Sequence, residues 1–340
     1  MKAIFLTKYG QADKAFQIKD QEIPKAESGQ VIIKVVSSGI NFADIIARRG
    51  MYPDAPKNPA VLGYDVAGYV ESFADDVEGF EVGQKVVALT RFGGYAEYAA
   101  TMKEAVVHLP DDYDFNQATA LATQACTAYY CAKEMVQLHE GNKVLIHAAA
   151  GGVGSVLVQL AKHKGCEVFG TASSNKLEYL KELGVDHPID YTSQDFKSII
   201  ETSHGKKSID VVFDSLGGQV YKKSKQLLAP TGRIVLYGAA EQMKTVKNKL
   251  KILGLATGFG LTSPINLLMA SQGIIAVNML RVADYKPELF NYVFKEVIKL
   301  ADQKVINPRL DKVFKAEEIG AAHEYVESRK SMGKVTLDWN

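Results

Sequence analysis

From Lys143 to Gly238 the sequence alternates between short apolar, β-branched runs and amphipathic stretches of helical period. The strand-like runs are KVLIHAAA, EVFGTAS, PIDY, DVVFDSLG and RIVLYG, and the helical stretches between them are GVGSVLVQLAKHKG, KLEYLKELG, QDFKSIIETSH and QVYKKSKQLLAP. Strands separated by helices of this length are joined by right-handed crossovers, and a chain that repeats the unit builds a parallel sheet with helices on its faces. This pattern predicts a doubly wound α/β domain.

The first turn of that series, HAAAGGVGS, has almost no side-chain chemistry. Its Ala149, Gly151 and Gly154 fall at the three glycine positions of G-x-G-x-x-G. In a dinucleotide-binding turn these serve the tight bend, the approach of backbone to pyrophosphate, and close packing of helix on strand. Ala150, Gly151, Gly152, Val153 and Gly154 are therefore expected to present backbone N–H groups to a phosphate at the start of a helix, where the dipole favours an anion. A glycine-rich turn without a ligand is the alternative, and the strand before the turn and helix after it favour the nucleotide. His147, just before the turn, reads as the end of a strand rather than a base.

An NAD enzyme places Asp or Glu about 20 residues past the turn, on the ribose 2′-hydroxyl. Here that segment reads Thr171, Ala172, Ser173, Ser174, Asn175, Lys176. Hydroxyls at Thr171 and Ser173 and the ammonium of Lys176 suit a 2′-phosphate, so NADPH is the expected cofactor.

At 340 residues and 47% apolar the chain is long enough for two cores. The first 110 residues or so read as a mostly antiparallel β unit of short strands bounded by Gly, Asp and Pro. The tail adds amphipathic stretches, ELFNYVFKEVIKLADQ and AEEIGAAHEYVESR, and a strand, GKVTLDW, expected to join the β unit and make it discontinuous. Forty basic and thirty-nine acidic residues leave a net charge of +1, which supplies no global attraction for nucleic acid or an anionic bilayer. The N-terminus, MKAIFLTKYG, has no apolar signal core, so a cytoplasmic location is expected. The run Leu250 to Leu280 is broken by Lys251, Pro264, Asn266, Gln272 and four glycines, and no integral membrane segment is expected. Three cysteines without CxxC give neither a disulfide framework nor a thiolate cage.

The strings AAAGGVG, FGTAS, SNKLEYLKELGVDHPIDY and DSLGG make the whole chain resemble a medium-chain dehydrogenase/reductase. Within that superfamily it is similar to the zinc-independent quinone oxidoreductase branch and to the vesicle amine transport protein homologues. The resemblance implies a GroES-like, β-rich catalytic domain over 1–122 and 283–340 and a Rossmann, doubly wound NADPH-binding domain over 123–282. It places Asn41, Tyr52 and Thr127 near the nicotinamide and Lys176 and Tyr191 on the 2′-phosphate. Leu216, Gly238 and Ala239 would line the cofactor groove, and Asn278, Gly333 and Lys334 would close it. Residues of these types also occur as packing groups, and Asn41 as a helix N-cap for FADIIARR. The resemblance further implies a homodimer built on the apolar edge strand GIIAVNML.

Zinc members of the superfamily carry Cys, His or Glu where this chain has Asn41, Tyr64 and Asp65; a third Cys would fall near Thr123 or Gln124, and Cys126 is out of register. No metal is expected. Without a metal to stabilise an alkoxide, reduction of an electron-poor acceptor is the chemistry left, and a quinone or enone delocalises the incoming charge. Tyr52 and Asn41 would donate hydrogen bonds to its oxygen. The expected function is thus NADPH-dependent hydride transfer to a quinone or related conjugated carbonyl compound. An NADPH-binding protein with a membrane- or lipid-associated regulatory role is the alternative from another class, and a zinc alcohol dehydrogenase is a third.

Overall fold

The computed structural model describes residues 1–240, 259 and 262–340. The chain divides into two compact units: Met1–Cys126, Met279–Gln303 and Asn307–Asn340 form the first, and Thr127–Asn278 with Lys304–Ile306 the second.

The first unit opens with eight short strands, β1 (Lys2–Leu6), β2 (Phe16–Asp20), β3 (Gln30–Ile40), β4 (Ala60–Val61), β5 (Asp65–Phe73), β6 (Lys85–Leu89), β7 (Tyr98–Met102) and β8 (Val106–His108). β2, β1 and β4 make a small antiparallel sheet. The longest strand, β3, is the spine of the larger sheet and pairs antiparallel with both β5 and β7. Val31, Ile33, Val35, Val66, Val70, Val86 and Ala88 bury one face of this sheet as its core.

The second unit is a six-stranded sheet of β9 (Lys143–Ile146), β10 (Glu167–Ala172), β11 (His187–Asp190), β12 (Ile209–Asp214), β13 (Leu228–Leu236) and β14 (Gly273–Ala276). Its order is β11-β10-β9-β12-β13-β14, and every pairing is parallel. Numbered within the unit this is 3-2-1-4-5-6, so the direction of winding reverses between β9 and β12. Ligands of doubly wound sheets bind at that reversal, beyond the carboxyl ends of the strands. The helices predicted from periodicity are present as Gly152–His163, Leu177–Glu182, Phe196–His204 and Gly218–Leu227. Leu145, Phe169, Phe196, Ile200, Val212, Tyr221 and Ile234 form the core beneath them.

GIIAVNML is strand only at Gly273–Ala276; Met279 and Leu280 begin the helix Met279–Tyr285. The first part of the Leu250–Leu280 run lies outside the described residues, and no helix among those described is long and apolar enough to cross a membrane. The tail returns to the first unit as β15 (Leu310–Lys315), the helix Ile319–Glu327 and β16 (Lys334–Asp338). These complete a sheet ordered β15-β16-β3-β5-β6-β8, with β7 paired off this path to β3.

Candidate functional site

In the second unit, β9 runs into a turn built from backbone. Ala148 takes a left-handed φ of 51°, the Ala149 N–H donates to the Thr171 carbonyl (3.0 Å), and the Gly151 N–H donates to the Ala148 carbonyl (2.9 Å). The bond from the Ser155 N–H to the Gly151 carbonyl (2.8 Å) starts the ladder of helix Gly152–His163. The N–H groups of Gly152, Val153 and Gly154 thus belong to the first turn, where no carbonyl of the helix can reach them. A Cβ on Gly154 would stand 2.3 Å from the Ala148 oxygen, so only glycine lets the helix start this close to the strand end. Ala149 fits in place of a first glycine because its neighbour on β10 is Gly170, where a Cβ would come within 3.2 Å of that of Ala149.

Across the reversal, the Asp214 Oδ1 at the end of β12 accepts from the Leu216 N–H (2.7 Å) and the Gly217 N–H (3.0 Å). A Cβ on Gly238 would meet the Ser215 oxygen at 2.6 Å, and Ala239 lies against Gly217. The structure therefore brings Leu216, Gly238 and Ala239 together as a side-chain-poor wall. With the amides of Gly152–Gly154 opposite, the residues fit a dinucleotide pyrophosphate. Asn278 follows the end of β14, where the Val277 N–H donates to the Leu236 carbonyl (2.8 Å).

Beyond β10 the picture is more mixed. Thr171 is buried with its hydroxyl 3.1 Å from His147 Nδ1, and His147 Nε2 meets the Ser224 Oγ at 2.8 Å. Burial holds His147 below the usual histidine range, so the imidazole is a neutral brace under the turn. The Thr171 hydroxyl serves that brace. Ser173 donates to the Asn175 side chain (2.7 Å). Lys176 is buried at the end of the short turn Ser174–Lys176, and the half-exposed Tyr191 donates its N–H to the Ala172 carbonyl (3.1 Å), so both sit at the carboxyl ends of β10 and β11. The sequence reading missed Asp190. It stands opposite Ala172 in the parallel register, and its carboxylate accepts from Ser174 Oγ (2.7 Å), Thr192 N (2.9 Å), Thr192 Oγ1 (2.6 Å) and Ser193 Oγ (2.8 Å). Hydroxyl donors, Thr192 first, hold it well below the usual carboxylate range. A carboxylate does stand beside this segment, supplied by the next strand.

In the first unit the centre is Asp65, the first residue of β5. Its Oδ2 accepts from Asn41 Nδ2 (2.6 Å) and from Lys334 Nζ, and Lys334 Nζ also donates to Asn41 Oδ1 (3.1 Å). Its Oδ1 accepts from the Thr123 N–H (3.0 Å) and the Thr123 hydroxyl. Taking the Thr123 amide out of the helical ladder accompanies a wider π-type turn over Leu121–Ala125. Lys334 and Asp65 are both fully buried. Lys334 reaches Asp65 across β3 over Gly39, where a Cβ would lie 2.3 Å from its Cε. Asn41 occupies the N-cap of helix Phe42–Arg48, but its side chain is spent on Asp65 and Lys334. The cap is closed instead by Asp44, whose Oδ2 accepts from the Asn41 N–H (2.8 Å). Asp44 Oδ1 also accepts from the Gly63 N–H (3.2 Å), and burial pushes this carboxyl up to about 7 against the bond from Asn41.

Asn41 and Lys334 are thus brought into contact, whereas Tyr52 stands in an aromatic group with Tyr64 (ring centroids 6.5 Å) and, through Tyr64, Phe92 (4.9 Å). Burial raises the Tyr52 phenol above its ordinary value. Thr127 is buried at the first residue of the second unit. Gly333 takes a φ of 104° immediately before Lys334. The role of Asp65 as the hub of the network was not foreseen; its partners lie 24, 58 and 269 residues away, so no spacing announces them.

Residues 152–263 match the zinc-binding dehydrogenase family and residues 27–111 the alcohol dehydrogenase GroES-like domain. The human synaptic vesicle membrane protein VAT-1 homolog is 34% identical over 341 residues, covering 99% of this chain and 86% of the human protein. A quinone oxidoreductase from Pseudomonas syringae superposes with a TM-score of 0.86 at 28% identity, covering 99% of each chain. A mycobacterial protein solved in complex with NADPH gives a TM-score of 0.86 at 28% identity, covering 100% of both.

Proposed function

This chain belongs to the medium-chain dehydrogenase/reductase superfamily, alongside the VAT-1 homologues, and from that premise we propose that it is an NADPH-dependent, zinc-independent reductase of quinones or related conjugated carbonyl compounds. The observation that carries the reading is the backbone-lined turn at the winding reversal, with Lys176 and Tyr191 at the strand ends beyond it. The mycobacterial relative that binds NADPH and the relative named quinone oxidoreductase support it. The amides of Gly152–Gly154 would hold NADPH, which would supply a hydride to a quinone or enone whose conjugation delocalises the incoming charge.

The chain's own residues position and donate. Asn41 gives one amide N–H to Asp65, which leaves the other for an acceptor oxygen. Lys334 on its carbonyl fixes which way the amide points. The Tyr52 phenol, held protonated by burial, is a second donor, and solvent supplies the proton. Zinc does not suit the matching places. Asn41 offers an amide, Thr123 a hydroxyl, and the Asp65 carboxylate already holds the Lys334 ammonium.

We extend the proposal to a homodimer in the cytoplasm. β14 is the outer strand of its sheet among the described residues, and the preceding helix Pro264–Ala270 exposes Ile265, Leu268 and Met269. An exposed edge with apolar neighbours invites a second copy. That the VAT-1 relatives are named synaptic vesicle membrane proteins supports a second reading, a membrane-associated NADPH-binding protein.

The test is NADPH consumption against a panel of quinones and enones, with calorimetry of NADPH and NADH and with liposome flotation. Turnover of at least one acceptor and tighter binding of NADPH are expected, and Gly154→Ala should lose the cofactor. Equal affinity for both nucleotides would overturn the cofactor assignment. NADPH binding without turnover, together with NADPH-dependent flotation, would favour the second reading.

A further inference from the structure

At the amino end of the second unit's sheet, away from the nucleotide turn, three metal-ligating side chains converge. Glu167 is the first residue of β10, His187 the first of β11, and His204 the last of helix Phe196–His204. A single oxygen, Glu167 Oε1, lies 2.7 Å from His187 Nε2 and 3.0 Å from His204 Nε2. One ligand atom from each residue falls within 4.8 Å of the other two. The group is held rather than scattered. Phe169, fully buried, stacks on the His187 ring (4.3 Å, 18°) and meets the His204 ring edge-on (4.9 Å, 88°). We propose that Glu167, His187 and His204 form a binding site for a divalent transition-metal ion, with zinc as the best match.

Two imidazoles and one carboxylate are a donor set that zinc takes at about 2.0–2.2 Å, with water in the fourth position. The three side chains are 18–35% exposed, so solvent reaches that position. For Nε2 to ligate, each ring must carry its proton on Nδ1, and for His204 that proton has an acceptor in Ser203 Oγ at 2.7 Å. His204 also closes a nine-residue helix whose carboxyl end favours a cation. The neighbouring Asp186 carboxylate is occupied by Lys162 Nζ (2.8 Å) and the Val168 N–H (2.8 Å), so it does not compete for the ion.

The site is a clip. Four residue steps of β10, about 13 Å of strand, separate Glu167 from Thr171 near the carboxyl end. The ion would tie β10, β11 and the helix together at the amino ends of the strands, opposite the nucleotide turn. It is distinct from the Asn41 and Asp65 places, where no metal is expected.

The test uses the full chain after treatment with a chelator. Zn²⁺ is titrated in competition with a chromophoric chelator, and Co²⁺ is added separately to read the visible absorption of a four-coordinate N/O site. One equivalent of Zn²⁺ should bind, and its addition should raise the melting temperature. Glu167→Gln and His204→Gln should each weaken binding roughly 100-fold or more, with circular dichroism confirming that they fold. His139→Gln, at an exposed histidine outside the cluster, should bind as the wild type does. Absence of a stoichiometric site in the wild type would overturn the proposal, and so would undiminished binding in folded Glu167→Gln and His204→Gln.

Discussion

At Gly151–Gly154 the second unit clears side chains away and leaves backbone amides, whereas at Asp65 the first unit gathers Asn41 from just after β3, Lys334 from β16 and Thr123 from the Leu121–Ala125 turn around one carboxylate. The turn depends on what is missing. A Cβ at Gly154 would strike the Ala148 carbonyl, a backbone atom that cannot swing aside as a side chain does. The network depends on everything being present, because a buried charge without its partner costs more than the pair contributes. A site of absences fails by addition, and a site of buried charges fails by subtraction.

The sharpest way to break that contrast is to remove the cation. Lys334→Met keeps the apolar stem but leaves the fully buried Asp65 carboxylate without its ammonium. Loss of about 3–5 kcal/mol is expected in urea unfolding. Adding Asp65→Asn should restore part of it, since the two changes act on one interaction. A loss below about 1 kcal/mol would mean the network behaves like a surface pair.

A smaller effect concerns Asp44, which closes the cap of the helix that Asn41 begins. Its carboxyl rises from 3.8 to about 7 in the fold, so the folded protein holds a proton the unfolded chain releases. This group's contribution is full below about pH 4, falls through the interval, and is gone above about pH 7. At 1.36 kcal/mol per unit, the drop is about 4 kcal/mol. Asp44→Asn should remove this part of the pH slope, whatever it does to stability at one pH. Because Lys334 lowers the Asp44 carboxyl electrostatically, Lys334→Met should carry the slope to higher pH. An unchanged slope in Asp44→Asn would place the titration elsewhere.

The same contrast explains what could be read from the sequence. The turn is local. Strand, glycines and helix follow one another within a dozen residues, and the alternating units after it leave one sheet topology. The Asp65 network joins residues up to 293 positions apart, so Asn41 and Lys334 came forward only through resemblance and Asp65 only as a place where zinc ligands were missing. The widened turn at Leu121–Ala125 was illegible for the same reason, since the acceptor that takes the Thr123 amide lies 58 residues away. Glu167, His187 and His204 meet because parallel strands start at one edge and a helix ends there, a fact of topology rather than spacing.

Asp190 is where the two kinds of site adjoin, and it gives the finest test. From sequence the segment Thr171–Lys176 carries no carboxylate to oppose a 2′-phosphate, yet the parallel register sets Asp190 opposite Ala172 with Ser174 bonded to it. Ionised there, it works against the Lys176 ammonium. A unit charge several ångströms away in a solvated setting is worth about 0.5 kcal/mol, so Asp190→Asn should raise the preference for NADPH over NADH two- to three-fold. The gain should shrink as salt is added, because the screening length falls to about 8 Å at physiological ionic strength. Titration of both nucleotides at low and high salt reads this directly. A preference that stays fixed at low salt would mean the hydroxyls of Ser174, Thr192 and Ser193 absorb the Asp190 charge, leaving backbone amides and Lys176 to set the choice of nucleotide.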